Sequence, residues 1–368
     1  MKINYLYSVV LAVLSQASVA DFSALDQQVK YFNDWAVACN NQRECFVNSL
    51  PPQSAQASKA DANAEDDSSL VYLNASRKAA ADSALVLNIT DWDEEGGILE
   101  EGQSIRLKVD QQNFDLGKVS AEAANNTSFQ VPRQQTAEIL TALQKGTQAE
   151  LNLDDEKLQF NLQGFNEALQ YFDEQQQRVD TPTALVKKGE KPFTATPPQL
   201  ASITPVVSND EELISDEERI KLQKQVHALA VVKDCLATAN KEEPYEDVIE
   251  LLDKDHYLFG ITCAADELNR QTLVLVAPKD KPEQAELAKF DQGVENAKVN
   301  GEFNGYSASE GILLNYYRKS EMGDCGGTAE WVWNGQSFVL SSYFSMPECR
   351  GSLNSLNVWK LEVNKPES

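Results

Sequence analysis

The sequence predicts a mainly β protein with peripheral helices (α+β): two disulfide-stabilised domains of β-sandwich or open-barrel type, joined by a Pro-rich linker. Three observations carry that prediction. Short runs of β-branched and aromatic residues alternate with turn signals through most of the chain. The cysteines fall as three near-neighbour pairs, Cys39/Cys45, Cys235/Cys263 and Cys325/Cys349. Between two β-rich halves, Pro182, Pro192, Pro197, Pro198 and Pro205 cluster in a stretch where neither a regular helix nor a central strand can persist.

In chain order, residues 1–20 read as a signal peptide, with Lys2 ahead of an apolar core at 6–14 and Ser18-Val19-Ala20 as the small-x-small cleavage site. The rest of the chain is therefore expected in the periplasm, soluble, with no membrane span left after cleavage. The first domain, 21–179, opens with a strand over 31–39, a turn at Asn40-Asn41-Gln42 and a return at Cys45, so that a disulfide closes a tight hairpin. Residues 51–67 are small and polar and read as a mobile loop. Strands follow at 70–77, 84–90 and 103–109, then a hairpin near 113–119. Helices are expected at 134–145 and from Gly164, the latter burying Phe165, Leu169 and Phe172.

The linker occupies 180–212. The second domain, 213–366, starts at a capping box, Ser215 with Glu218, and a helix running to 233 that buries Leu222, Val226 and Leu229. Residues 248–252 read as one or two helical turns, 257–263 and 272–277 as strands, and 285–290 as a short helical stretch. The stretch that organises this half is 323–351. Asn334-Gly335 predicts a two-residue hairpin turn, which sets Trp331 opposite Phe338 and Ala329 opposite Leu340 on one apolar face. A Cys325–Cys349 bridge would staple the hairpin's base.

With 368 residues the chain exceeds what one core usually supports. Its 57 acids against 32 bases leave a net charge of −25, which disfavours nucleic acid and anionic lipid as partners. Six cysteines in an exported chain predict three disulfides; 15 pairings are possible in principle, and the near-neighbour set is the expected one. No metal or cofactor is expected, because there is no CxxC motif and His227 and His256 are unclustered. His227 has no neighbouring acid or thiol of obvious use, His256 sits in the charged turn Asp253-Lys254-Asp255-His256, and both read as structural or solvated. Asp91-x-Asp93-x-Glu95-Gly96 begins like a calcium loop, but its twelfth position is Gly102, with Glu101 one place short, so a solvated acidic turn is the better reading. Gly305-Tyr306-Ser307-Ala308-Ser309 lacks the second glycine of a nucleophile elbow. Trp331, Trp333, Tyr343 and Phe344 read as core ahead of a binding groove. Asp324, Glu348 and Arg350, beside the Cys325–Cys349 staple, make either a small polar site or a surface salt bridge with turn caps.

The run Arg318-x-x-x-Met322-Gly323-Asp324-Cys325-Gly326, then Trp331-x-Trp333-Asn334-Gly335-x-x-Phe338 and Met346-x-Glu348-Cys349-Arg350-Gly351, with Trp359 beyond, resembles the DUF1176 family of exported proteobacterial proteins. Upstream, Gly164-Phe165-x-x-Ala168-Leu169 and Gln175-x-x-Arg178-x-x-Thr181-x-x-Ala184-Leu185-Val186-x-x-Gly189 agree with the same family. The chain departs from its pattern after Cys263, at Ala264-Ala265-Asp266-Glu267-Leu268. The first domain alone is also similar to the invasion-associated locus B family. The resemblance implies a periplasmic location and supplies no catalytic residues. The expected function is therefore a non-enzymatic binding or interaction protein, its partner a protein or an envelope component. The alternatives are an envelope glycan hydrolase using paired carboxylates, or a hydrolase inhibitor presenting residues 345–351 as a loop.

Overall fold

The computed structural model describes residues 22–51, 70–92, 97–154, 156–199, 201–208, 214–239 and 245–366. The signal-peptide segment, nearly all of the 51–67 loop, and Asp93, Glu95 and Gly96 of the acidic turn lie outside them.

A one-turn helix, Ser23–Asp26 (α1), leads into Lys30–Phe32 (β1) and Trp35–Cys39 (β2). The sequence predicts a single strand here. Instead Asn33, at φ 51°, turns the chain so that Phe32 pairs with Trp35. Asparagine tolerates that left-handed backbone, which makes two antiparallel strands out of one apolar run. The strands Cys45–Ser49 (β3), Leu70–Arg77 (β4) and Val86–Trp92 (β5) extend the sheet, and Ser128–Gln130 (β8) ends it, in the order β1-β2-β3-β4-β5-β8. A second sheet, ordered β10-β9-β6-β7, is built from Ser104–Val109 (β6), Gln112–Lys118 (β7), Gln148–Leu153 (β9) and Glu156–Asn161 (β10). Ala121–Asn125 (α2), Arg133–Lys145 (α3) and Phe165–Gln175 (α4) complete the domain. Trp35, Val47, Ile89, Leu107, Leu151, Phe165 and Phe172 form one core between these layers. Gly164, at φ 92°, opens α4 hard against β1: a Cβ there would lie 2.0 Å from the Phe32 carbonyl oxygen, so only glycine fits.

Among its described residues the Pro-rich stretch has no helix and one two-residue strand, but it is no free spacer. Its first part is bolted to the first domain. Buried Asp173 accepts from Arg77 at 2.8 Å and from the Leu185 and Val186 amides, while fully buried Arg178 donates to the Ala79 and Ala80 carbonyls and to Thr183. Burial pulls the Arg77 guanidinium down to about 10, against its bond to Asp173. The last part joins the second domain, where Ser202–Ile203 (β11) pairs in parallel with Glu362–Val363 (β21) and the Val206 amide donates to Trp333.

The second domain contains Asp216–His227 (α5), Ala230–Leu236 (α6), Val248–Leu251 (β12), His256–Ala265 (β13), Arg270–Pro278 (β14), Glu286–Leu287 (β15), Lys298–Ser307 (β16), Ile312–Arg318 (β17), Gly326–Trp333 (β18), Phe338–Met346 (β19) and Leu356–Lys360 (β20). Ser215 caps α5 by accepting from the Glu218 amide, as its sequence predicts, but the helix breaks at Ala228 and Leu229 and restarts as α6. Two expected helical stretches are corrected. Residues 248–251 pair with β13 as a strand, and 285–290 hold a short strand after a 3-10 turn at Pro282–Gln284. In both places pairing with a long neighbouring strand outweighs local propensity.

The sheet is open, ordered β12-β13-β14-β16-β17-β18-β19-β20 with β15 beside β14. Residues 334–337 form a four-residue loop in which the Asn334 carboxamide accepts from the Gln336 and Ser337 amides. Trp331 therefore faces Leu340, not Phe338, and Trp333 faces Phe338. The slip at Trp331 is two residues, so its parity is kept, while a bulge between Glu330 and Trp331 sets Ala329 opposite Tyr343 and not Leu340; the predicted apolar face stays buried.

One face of this sheet packs on α5, α6 and the Cys235–Cys263 bridge. The other, with Trp331, Leu340, Met346 and Val358, packs on Ala36, Ala38 and Leu50 of the first domain. The two domains thus share a continuous hydrophobic core. All three disulfides pair as the spacing predicts. Among the described residues no helix is long and apolar enough to cross a membrane.

Candidate functional site

Strand alternation gives the six-stranded sheet two faces, one closed on the first domain's core and one turned toward the second domain. Register aligns one row across the second face: Tyr31, Ala36, Asn48, Asn74, Asn88 and Gln130, on six adjacent strands. Tyr31 and Ala36 are covered by the second domain. From Asn48 outward the row becomes carboxamide and the domains part into a groove.

Asn48 marks the seam. It is buried and donates to the Asn354 carbonyl at 2.9 Å across the domain boundary. Asn74 donates to Thr90 at 2.8 Å, and Asn354 reaches the same hydroxyl at 3.3 Å. Asn88, half-buried on the groove wall, spends its side chain on no partner among the described residues. Phe46 and Ser76 flank the row, and Ser342, Phe344, Ser355 and Asn357 face it from the second domain. This lobe encloses about 380 Å³.

At Phe344, Asn354 and Ser355 it opens into a wider hollow of about 520 Å³. Trp92, Met322 and Phe344, 44%, 49% and 39% exposed, all stand on this hollow, whereas most large apolar side chains are buried. Exposed aromatic faces on a shared hollow mark a ligand surface more strongly than scattered ones do. Arg318, Glu321 and Thr328 add polar groups to the same wall.

The expected polar trio does not converge here. Asp324 is buried and capped: it accepts from the Ser320 hydroxyl at 2.5 Å and from the Gly351 amide at 2.6 Å. It lies beside the Cys325 and Cys349 sulfurs, but these are bonded to each other and offer no thiolate to a metal. Arg350 turns the other way, donating to the Asn33 carbonyl at 3.0 Å and lying 3.4 Å from Asp34, so it ties the two domains. Glu348 is exposed, and its amide donates to the Tyr31 hydroxyl. Residues 345–351 are correspondingly pressed into the domain junction, with Glu348 and Cys349 the exposed members.

His227, read from sequence as lacking a useful acid, has one, and His256 is partnered within its charged turn. His227 Nε2 lies 2.7 Å from Asp247, and His256 Nδ1 lies 2.9 Å from buried Asp253, which also accepts from the Trp333 indole at 2.7 Å. Among the described residues, the carboxyl whose proton affinity departs upward is Glu330, raised by burial and then by nearby Glu310. Neither Glu330 nor Glu310 lines the groove. Of the four singled-out aromatics, Trp331, Trp333 and Tyr343 are core, while Phe344 belongs to the groove.

Sequence reasoning missed the amide row. The only trace of it is polar residues at alternate strand positions, as in Asn74-x-Ser76 and Asn88-x-Thr90, and nothing local says that they share a register.

Comparison with known proteins now bears on identity. A crystal structure of invasion associated protein B from Bartonella henselae is matched at 19% identity over 40% of this chain and 98% of that one, with a TM-score of 0.28. An uncharacterized protein, YpfG, from Escherichia coli (strain K12) is 28% identical over 333 residues, covering 86% of this chain and 88% of that protein. Residues 29–363 match the family described as Protein of unknown function (DUF1176). That match spans nearly the whole chain, and the protein belongs to the DUF1176 family.

Proposed function

We propose that this chain is a non-enzymatic binding protein of the periplasm that seats an oligosaccharide in the groove between its two β domains. The observation that carries the reading is the in-register row Asn48–Asn74–Asn88 facing Phe344 and continuing to Trp92. A carboxamide both donates and accepts, so a row of them at strand spacing suits a chain of hydroxyls, which also do both. Exposed aromatic rings suit the apolar faces of sugar rings. An extended peptide would instead seek a free strand edge, and the groove offers side chains on a sheet whose strands are already paired there. Three disulfides and the expected signal peptide support an oxidising, exported setting, where envelope glycans are the abundant polyols.

The test is calorimetric titration with soluble N-acetylhexosamine oligomers. Wild-type protein is expected to bind them, and Asn88→Leu to lose that binding while its melting temperature stays unchanged. Absence of heat across the oligomer panel would refute the reading. The rival, a carboxylate hydrolase acting on the same glycans, draws support only from the raised Glu330. Release of reducing ends by wild type, abolished in Glu330→Gln, would favour it over simple binding.

A further inference from the structure

We infer that the wider hollow is an acid-recognition subsite, in which Arg318 selects a glycan carrying a carboxylate. The inference rests on the groove being the glycan site and names the ligand's end group.

Several arginines in this protein are spent on partners inside the fold. Arg77 and Arg350 each face a buried or nearly buried aspartate, Asp173 and Asp34, and Arg178 and Arg219 donate to backbone carbonyls. Arg318 stands on the wall of the wider hollow. Its Nη2 donates to the Leu268 carbonyl at 3.3 Å, its Nε is buried without an acceptor, and no carboxylate among the described residues lies within ion-pair distance, which leaves Nη1 as the donor free to meet a ligand. Backbone geometry holds it in place: the Arg318 amide donates to Asn269, whose side chain donates back to the Arg318 carbonyl at 2.7 Å. The guanidinium is thus carried on a braced strand end, on the same wall as Trp92 and Phe344.

A planar fork with unused donors beside aromatic surface matches a carboxylate attached to a sugar ring, the ring against the aromatics and the acid against Arg318. The protein's overall negative charge repels such a ligand at long range, so recognition has to come from this contact and not from steering. Glu321, on the same wall, tempers the local positive charge and favours ligands that bring hydroxyls with the acid.

The experiment compares one carboxylated oligosaccharide with the same oligosaccharide reduced to the alcohol, titrated into full-length mature protein. Wild type is expected to prefer the acid by about tenfold, the scale of one charge-assisted hydrogen bond. Arg318→Gln should erase that preference and leave the alcohol's affinity unchanged, Arg318→Lys should keep part of it, and Glu321→Gln should widen it. Equal binding of acid and alcohol by wild type, or a preference that survives in Arg318→Gln, overturns the inference while the glycan reading stands. Failure of both sugars to bind overturns the two together. Should Arg318→Gln not fold, Glu321→Gln decides: an unchanged ratio of acid to alcohol affinity counts against the subsite.

Discussion

Two halves of one sheet face are put to opposite use. On β1 and β2 the cross-strand row presents Tyr31 and Ala36, and the second domain closes over them with Trp331, Leu340 and Met346, burying Ala36 fully and Tyr31 in part. Three strands along, the same row presents Asn74 and Asn88, and the same partner domain stands off to leave a groove. The difference is side-chain chemistry on a common backbone. An alanine beside tryptophan is stabilised by burial, whereas an asparagine can be buried only if every donor and acceptor is met. Asn48 is buried with a donor spent on the Asn354 carbonyl and sits at the seam; Asn88 has no side-chain partner among the described residues and stays at the open wall. The dry half fixes the geometry of the wet half, so the groove is a rigid feature of a shared core and not a hinge between loosely tethered domains.

The hardest blow to this division is a charge in the dry half. Ala36→Asp should cost about 3–5 kcal/mol, because the new carboxylate has no partner there. Calorimetry should then resolve two transitions in place of one, as each domain unfolds without its neighbour. Retention of a single transition at an unchanged temperature would mean that the shared core is not what couples the domains.

A smaller effect is expected from Arg350→Met. It removes the donors to Asn33 and Asp34 that cross the boundary, and urea unfolding should register a loss of about 1–3 kcal/mol. Asp34 keeps its hydrogen bond from Asn161, which limits the damage.

The mildest change concerns pH. Glu330 has its proton affinity raised in the fold, so the folded state holds that proton at pH values where the unfolded chain has released it. Its contribution is therefore favourable at low pH and is lost as pH rises through the carboxyl range above 4.5. Glu330→Gln should flatten this fall in stability, measured as melting temperature against pH, and leave glycan binding untouched.

Much of this architecture is legible in the sequence. Cysteine spacing predicts all three bridges, and the Ser215 capping box marks where the second domain's helices begin. The alternation around Asn334-Gly335 identifies the buried face even though the loop is two residues longer than the turn signal implies, because a slip of two preserves parity. What local signals miss is set by long-range pairing. Residues 248–251 are a strand because β13 lies beside them, and Arg350 is a tie between domains because Asp34, 316 residues earlier, comes to meet it. The groove belongs to the same class: the three asparagines of its row come from three strands, and no single stretch contains more than one of the three.

The most direct test of the central claim is hydrogen–deuterium exchange of the mature protein with and without the tightest-binding oligosaccharide. Protection should fall on β4, β5 and residues 352–357 together, since the ligand bridges both walls of the groove, and Asn88→Leu should abolish it. Protection confined to one domain, or centred away from the amide row, would contradict the assignment of this groove as the binding site.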